Sequence, residues 1–262
     1  MGPTVSVIMP AFNSSELLVD AIRSVMAQSF SDFEVVLIDH GFRDSTVRLC
    51  SSFMGDNRFK YHKVEECSLA KARNEGVSRA GGEQVIYLNY DDTFPGDALE
   101  VLVKEQQKGF AGTYANMNLM DRSGKVYETR KSRRFECQED AAWALLSEIR
   151  VPILTPTLMA RREVLKECPS DENVGTVEDV EVLLHILQRY PLHYTDHTVH
   201  NFRIHNGNYL ARTRLDTIGW WNQIYERYVN HSSVKAYLKA KRAGVIIGKY
   251  SYETTRNLIW RR

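Results

Sequence analysis

Phe33-Glu34-Val35-Val36-Leu37-Ile38-Asp39 is the stretch on which the fold turns. Apart from Glu34 the run is apolar up to Ile38, as expected of a strand covered on both faces, and it delivers a carboxylate, Asp39, at its carboxyl end. Upstream, residues 4–9 form a second β-branched run, with Pro10 as its stop. Between the two runs, Asn13 with Glu16 three residues on matches a capping box. Leu17, Leu18, Ala21, Ile22, Val25 and Met26 then recur at helical spacing. Downstream follow a short helix from Asp44 or Ser45, a strand at 59–64, and a helix capped by Ser68 and ended after Ala80 by Gly81 and Gly82. The next strand, 84–88, carries Asn89-Tyr90-Asp91-Asp92 at its carboxyl tip. This alternation predicts consecutive βαβ units, an α/β chain with a mostly parallel sheet, and two acidic sites at one edge of it.

Past a helical stretch at 97–107 the rhythm changes. Residues 110–116 and those flanking the turn Asp121-Arg122-Ser123-Gly124 read as β-structure, consistent with a hairpin. Residues 137–148 are amphipathic, 151–159 extended and broken by Pro152 and Pro156, 178–190 helical and 193–204 again β. No internal repeat or low-complexity tract interrupts them.

Composition narrows the function. The chain has 262 residues, 43% hydrophobic, with 34 Lys and Arg against 33 Asp and Glu. That is ordinary for a packed domain and excludes disordered and collagen-like chains. A formal charge of +1 excludes a whole-domain grip on nucleic acid. The average hides an asymmetry, because residues 234–262 carry eight basic residues and the single acid Glu253. Cys50, Cys67, Cys137 and Cys168 are scattered without a Cys-x-x-Cys pair, which points to a reducing compartment. The amino terminus lacks the pattern of a cleaved signal, and no window supplies a membrane span. The expected location is the cytoplasm, with the cytoplasmic face of a membrane as a variant.

In open α/β sheets ligands bind outside the carboxyl ends of the strands, where Asp39, Asp91 and Asp92 are expected. Each also has a bland reading, since Asp-His-Gly and Asp-Asp are ordinary turn chemistry. A dinucleotide site needs a glycine cradle after the first strand, and here the sequence is Pro10-Ala11-Phe12-Asn13-Ser14-Ser15; no P-loop occurs either. A hard divalent ion held by carboxylates can neutralise a diphosphate instead. His193, His197 and His200 could be drawn as a zinc cluster, but four-residue spacing does not carry to the third, and they read as surface or structural histidines.

In this order, Val5-Ser6-Val7-Ile8-Met9-Pro10-Ala11-Phe12-Asn13, the run ending in Asp39, Ala72-Arg73-Asn74-Glu75-Gly76 and Leu88-Asn89-Tyr90-Asp91-Asp92 resemble the nucleotide-diphospho-sugar transferases of glycosyltransferase family 2. The likeness is dense over residues 4–110 and thins toward 210. It implies a GT-A type fold, a mixed mostly parallel sheet flanked by helices, here with a basic helical C-terminal extension. The domain would span 1–212, with a nucleotide-binding half to about 115 and an acceptor half from 116, and the extension would span 213–262.

The resemblance implies an inverting transfer of sugar from a nucleoside-diphosphate sugar to an acceptor hydroxyl, with Mn²⁺ or Mg²⁺ as cofactor. Pro10, Phe12, Asn13, Asp39, His40, Arg73, Asp91 and Arg203 would bind the nucleotide sugar. Asp92 and His205 would hold the metal. Asp179, beside Glu178 at a helix start, would be the catalytic base. The bland reading of that pair is electrostatic support of the helix N-terminus. Two departures stand out: His40 replaces a usual acid and Asn89 another. They motivate an alternative, a binding or scaffold protein without turnover; a nucleotidyltransferase is a weaker third. A UDP-sugar donor and a glycan, lipid-linked or protein acceptor are the expected partners. The extension would contact a membrane peripherally, form a homodimer, or simply pack on the domain.

Overall fold

The computed structural model describes residues 2–14, 16–41, 45–148, 151–205 and 214–230, with Lys235 and Leu238; no side-chain description covers Ser45, Thr176 or residues 214–219. One sheet organises these residues. β1 (Val5–Ala11), β2 (Phe33–Asp39), β3 (Phe59–Lys63) and β4 (Gln84–Tyr87) are parallel, in the order β3-β2-β1-β4. The short β7 (Met159–Arg161) pairs antiparallel with β4 and with β5 (Gly112–Met120). β6 (Val126–Arg130) forms a hairpin with β5, and β8 (Leu192–Arg203) pairs parallel to β5. The sheet is mixed and mostly parallel, as expected, and β5 runs through position 115 without a break.

Strand alternation explains the apolar runs. Val5, Val7 and Met9 of β1 with Phe33, Val35 and Leu37 of β2 enter one core, while Ile8, Val36 and Ile38 enter the other. The first core is covered by α1 (Leu17–Met26), α2 (Ser45–Cys50) and α4 (Ala98–Gln106). The second is covered by α3 (Leu69–Arg79), α5 (Gln138–Ser147), α6 (Arg162–Glu167), α7 (Glu178–Leu187) and α8 (Arg214–Tyr228). The one polar residue inside the β2 run, Glu34, is buried but satisfied: it accepts hydrogen bonds from Ser6 Oγ and Gly81 N, both at 2.6 Å, and pairs with Lys60.

Three local expectations are corrected. β1 does not stop at Pro10; it continues to Ala11, because pairing with β4 ends at Ile8 and no ladder N–H is lost on that side. The capping box does not form. Glu16 is the N-cap without a side-chain bond, and Asn13 instead takes a left-handed φ of 47°. α7 ends at Leu187 rather than 190. Ser68 does cap α3, accepting from Lys71 N at 3.2 Å, an arrangement worth about 1 kcal/mol.

The domain boundary near 212 falls outside the described residues. Beyond it, α8 is part of the second core through Trp221, Ile224, Tyr225 and Tyr228. Most of the basic stretch 234–262 also lies outside the described residues. Its two described members are Lys235, paired with Glu226 at 2.7 Å, and Leu238, which is buried. No helix among the described residues is long and apolar enough to cross a membrane.

Candidate functional site

The carboxyl ends of β1, β2 and β4 lie side by side, and the residues after them form one rim. Asp39 closes β2 and is buried. Its Oδ2 accepts from Tyr61 Oη at 2.6 Å and lies 3.2 Å from Lys63 Nζ, while Oδ1 accepts from Gly41 N at 3.2 Å. Tyr61 and Lys63 stand two apart on β3, the spacing of one strand face. The next residue, His40, sits 3.0 Å by its amide from the Ala11 carbonyl, which ties the β1 and β2 loops. Its Nδ1 is 2.9 Å from the Cys67 carbonyl oxygen, so Nδ1 carries the proton and donates. Burial holds this imidazole below the usual histidine range and therefore neutral near pH 7. The Phe12 ring lies 5.3 Å from His40 and is 39% exposed, while Pro10 is buried in β1. The approach of these loops needs a glycine at 41, because a Cβ there would meet Asn13 N at 2.5 Å.

A second group gathers where β4 and β8 end. Asp91 Oδ2 is 2.9 Å from His205 Nε2. Burial and the neighbouring Asp92 charge push the Asp91 carboxyl above its usual range, against the pull of His205. Asp92 is only 1% exposed, and protein donors occupy both oxygens. Arg203 N donates to Oδ1 at 2.8 Å, and Asn89 Nδ2 and His200 Nε2 reach Oδ2 at 3.1 Å each. Arg203, expected to touch phosphate, is buried and spends Nε on the Asp91 carbonyl (2.7 Å) and Nη1 on that of Arg122 (2.8 Å).

These contacts bear on a metal. Among the described residues no three or more His, Cys, Asp or Glu side chains form a ready-made ion cage. The donor set fits an ion that draws its remaining ligands from a diphosphate, provided the ion displaces the proton shared between Asp91 Oδ2 and His205 Nε2 at 2.9 Å: that frees one carboxylate and one imidazole nitrogen. Asp92, expected to face the ion, is 1% exposed, and three of its roughly four lone-pair positions already accept N–H groups, so it fits less well.

The third group belongs to the second half of the chain. Glu178 and Asp179 open α7. Glu178 is buried and pairs with Arg73 Nη1 at 2.9 Å, so Arg73 of α3 turns toward this carboxylate and lies across the Tyr87 ring. Burial drives the Glu178 carboxyl up to about 7, Arg73 opposing and the Asp179 charge adding to the rise. Asp179 is half-buried and likewise raised by burial. The turn ahead of them is braced from behind: Gly175 has φ 54°, and a Cβ there would lie 2.1 Å from the Trp220 ring of α8. Tyr228 Oη and Arg227 Nη1 fasten α8 to Glu181 of α7 at 2.6 and 3.0 Å.

The structure thus gathers Phe12, Asn13, Asp39 and His40 in one place, Asp91, Asp92, Arg203 and His205 in a second, and Arg73 with Glu178 and Asp179 in a third. It adds Tyr61 and Lys63, which hold Asp39 and which the sequence reading left out, and it gives His200 and Asn89 a role that reading did not assign, holding Asp92. A separate groove of about 340 Å³, lined by Phe110, Phe135, Leu192 and Tyr194 among others, opens at the amino ends of β5 and β8, away from these groups.

Comparison with known proteins agrees with this geometry. The family described as Glycosyl transferase family 2 matches residues 6–168. An uncharacterized glycosyltransferase of Rickettsia conorii is 27% identical over 206 residues, 78% of this chain and 33% of that protein. A Campylobacter jejuni protein named GalNAc(5)-diNAcBac-PP-undecaprenol beta-1,3-glucosyltransferase is 32% identical over 127 residues, 47% of this chain and 41% of that protein. The chain therefore spans less than half the length of either relative. Among solved structures, S. aureus TarS 1-349 in complex with UDP-GlcNAc superposes with a TM-score of 0.71 at 18% identity, covering 92% of this chain and 71% of that one. That likeness establishes the GT-A type fold.

Proposed function

Because the chain belongs to glycosyl transferase family 2, we propose that it is an inverting glycosyltransferase, moving a sugar from a nucleoside-diphosphate sugar to an acceptor hydroxyl. The observation that carries this reading is the Asp91–His205 pair after the strand ends, in a fold whose ligands bind there, with an acidic pair of raised pKa, Glu178 and Asp179, opening α7 of the same domain.

The chain's own residues divide the work. The exposed Phe12 ring offers a face to a flat base. His40, with Nδ1 spent on Cys67, keeps Nε2 as an acceptor, which suits the ring N–H of uracil and favours a UDP-sugar. TarS, solved with UDP-GlcNAc, is consistent with that donor class. An Mn²⁺ or Mg²⁺ ion held by Asp91 and His205 would neutralise charge on the departing diphosphate. Arg73 fixes Glu178 and leaves Asp179 the less encumbered carboxylate. Asp179 takes the proton of the acceptor hydroxyl as that oxygen bonds to the anomeric carbon and the bond from this carbon to the diphosphate oxygen breaks. Attack opposite the leaving group inverts the configuration. The acceptor is a glycan, a lipid-linked saccharide or a protein; the Campylobacter relative's undecaprenol-linked substrate supports the lipid-linked form. The four cysteines, free of disulfides, support a cytoplasmic place of work.

The test is product analysis by NMR after incubation with UDP-sugars and candidate acceptors. The expected result is a product anomer opposite to that of the donor, with nucleotide release abolished by EDTA. Nucleotide binding with no turnover toward any donor would replace this reading with that of a binding protein.

A pH dependence follows from the acidic pair. With Glu178 raised to about 7, the pair sheds its protons late, and kcat/KM is expected to climb through an acid limb near pH 7. The sign for stability is opposite. Between the ordinary carboxylate value and about 7 the folded chain holds a proton that the unfolded chain lacks, so this group's contribution to stability falls as pH rises through that window. A pH–rate profile with its acid limb near 4.5 would remove the pair from the mechanism.

A further inference from the structure

His200 has no part in the mechanism above, yet it is buried without exposure beneath the rim. Its Nε2 lies 3.1 Å from Asp92 Oδ2, its ring meets Phe94 edge-on at 5.7 Å, and its Nδ1 has no hydrogen-bond partner. An imidazole with one nitrogen unpaired is a costly way to fill an apolar slot, which leucine or phenylalanine would fill without that penalty. What the imidazole adds is one N–H aimed at a buried carboxylate.

Asp92 in turn is a junction. Its other oxygen accepts the Arg203 amide at 2.8 Å, Arg203 Nε holds the Asp91 carbonyl at 2.7 Å, and two residues further along His205 meets Asp91 Oδ2 at 2.9 Å. The end of β8 is thereby pinned to the loop after β4 through Asp92. Without the His200 donor, Asp92 is left with two N–H partners, and the registry of His205 against Asp91 loses one of its ties.

We propose that His200 is a positioning residue for the ion-and-diphosphate end of the site, acting through Asp92. The proposal rests on the reading of Asp91 and His205 as the pair that takes the ion.

The experiment measures Mn²⁺ binding by EPR in the presence of UDP, and uridine binding by calorimetry, in wild type, His200→Leu and His200→Gln. His200→Leu is expected to weaken Mn²⁺·UDP at least about tenfold, the loss typical when a supporting partner of a ligand is removed, with uridine affinity unchanged. Glutamine places an amide N–H near the position of Nε2 and is expected to restore most of the affinity. Equal Mn²⁺·UDP affinity in wild type and His200→Leu overturns the proposal, and so does an equal loss for uridine, which marks a merely structural role. Failure of the wild type itself to bind Mn²⁺·UDP overturns the functional reading and this proposal with it. Should the leucine variant not fold, ¹⁵N spectra of the wild type decide. The His200 Nε2–H resonance is expected to move on adding Mg²⁺·UDP but not uridine, and a resonance unmoved by either overturns the proposal.

Discussion

Asp179→Asn is expected to lower kcat by about a hundred- to ten-thousandfold, the range for removal of a general base, while affinity for UDP stays within about twofold. The asymmetry between the two acids of α7 motivates the choice. Glu178 is locked against Arg73 at 2.9 Å, whereas Asp179 Oδ1 accepts from the adjacent Val180 amide at 2.8 Å. Asparagine keeps the shape and the contact to that amide but cannot take a proton. Glu178→Gln serves as the contrast. It loosens Arg73, and its damage should fall on KM as well as kcat. Measuring nucleotide release alongside calorimetric UDP affinity separates the cases, and an Asp179→Asn enzyme with near-wild-type kcat would falsify the assignment.

Gly175→Ala is expected to be strongly destabilising, because among the described glycines it combines a left-handed φ with a severe clash. A non-glycine residue at φ 54° costs about 1–2 kcal/mol, and overpacking against a fixed ring adds about 1–3 kcal/mol. The ring is Trp220, 2.1 Å from where the methyl carbon would sit. For a chain of this size a loss of about 3 kcal/mol corresponds to a fall in Tm of about 6–12 °C. Because the turn leads directly into Glu178, kcat should fall in the surviving folded fraction at temperatures below the transition. Trp220→Ala combined with Gly175→Ala should recover part of the stability by making room. A double variant no more stable than Gly175→Ala would show that the ring is not the obstacle.

Much of the site could be read from sequence because strand tips are legible. A buried run followed by an acid places that acid at a sheet edge, and this located Asp39, Asp91 and Asp92 without coordinates. The different partners of Asp91 and Asp92 were not legible, since adjacent residues in a loop have no periodicity to say which meets His205 and which is held by Arg203, Asn89 and His200. Tyr61 and Lys63 carried a usable signal, two positions apart beside the strand that ends in Asp39. His200 was harder. Pairing of β8 with β5 slips between Tyr114 and Asn116, and again between Asn116 and Met117. Alternation counted from His193 therefore cannot predict the side on which His200 falls. Pro10 misled because a proline stops a strand only where an N–H is needed.

The parallel pairing of β8 with β5 has a temporal consequence. His205 reaches Asp91 across 114 positions and Arg203 reaches Asp92 across 111, so both contacts join early and late portions of the polypeptide. Such distant closures are the slow steps of folding. On a ribosome, the first βαβ units can collapse long before β8, which completes the rim at Asp91 and Asp92, has emerged. A nascent chain would therefore carry the loops after β1 and β2 for roughly ten seconds, at about 5–20 residues synthesised per second, before Asp91 could meet His205.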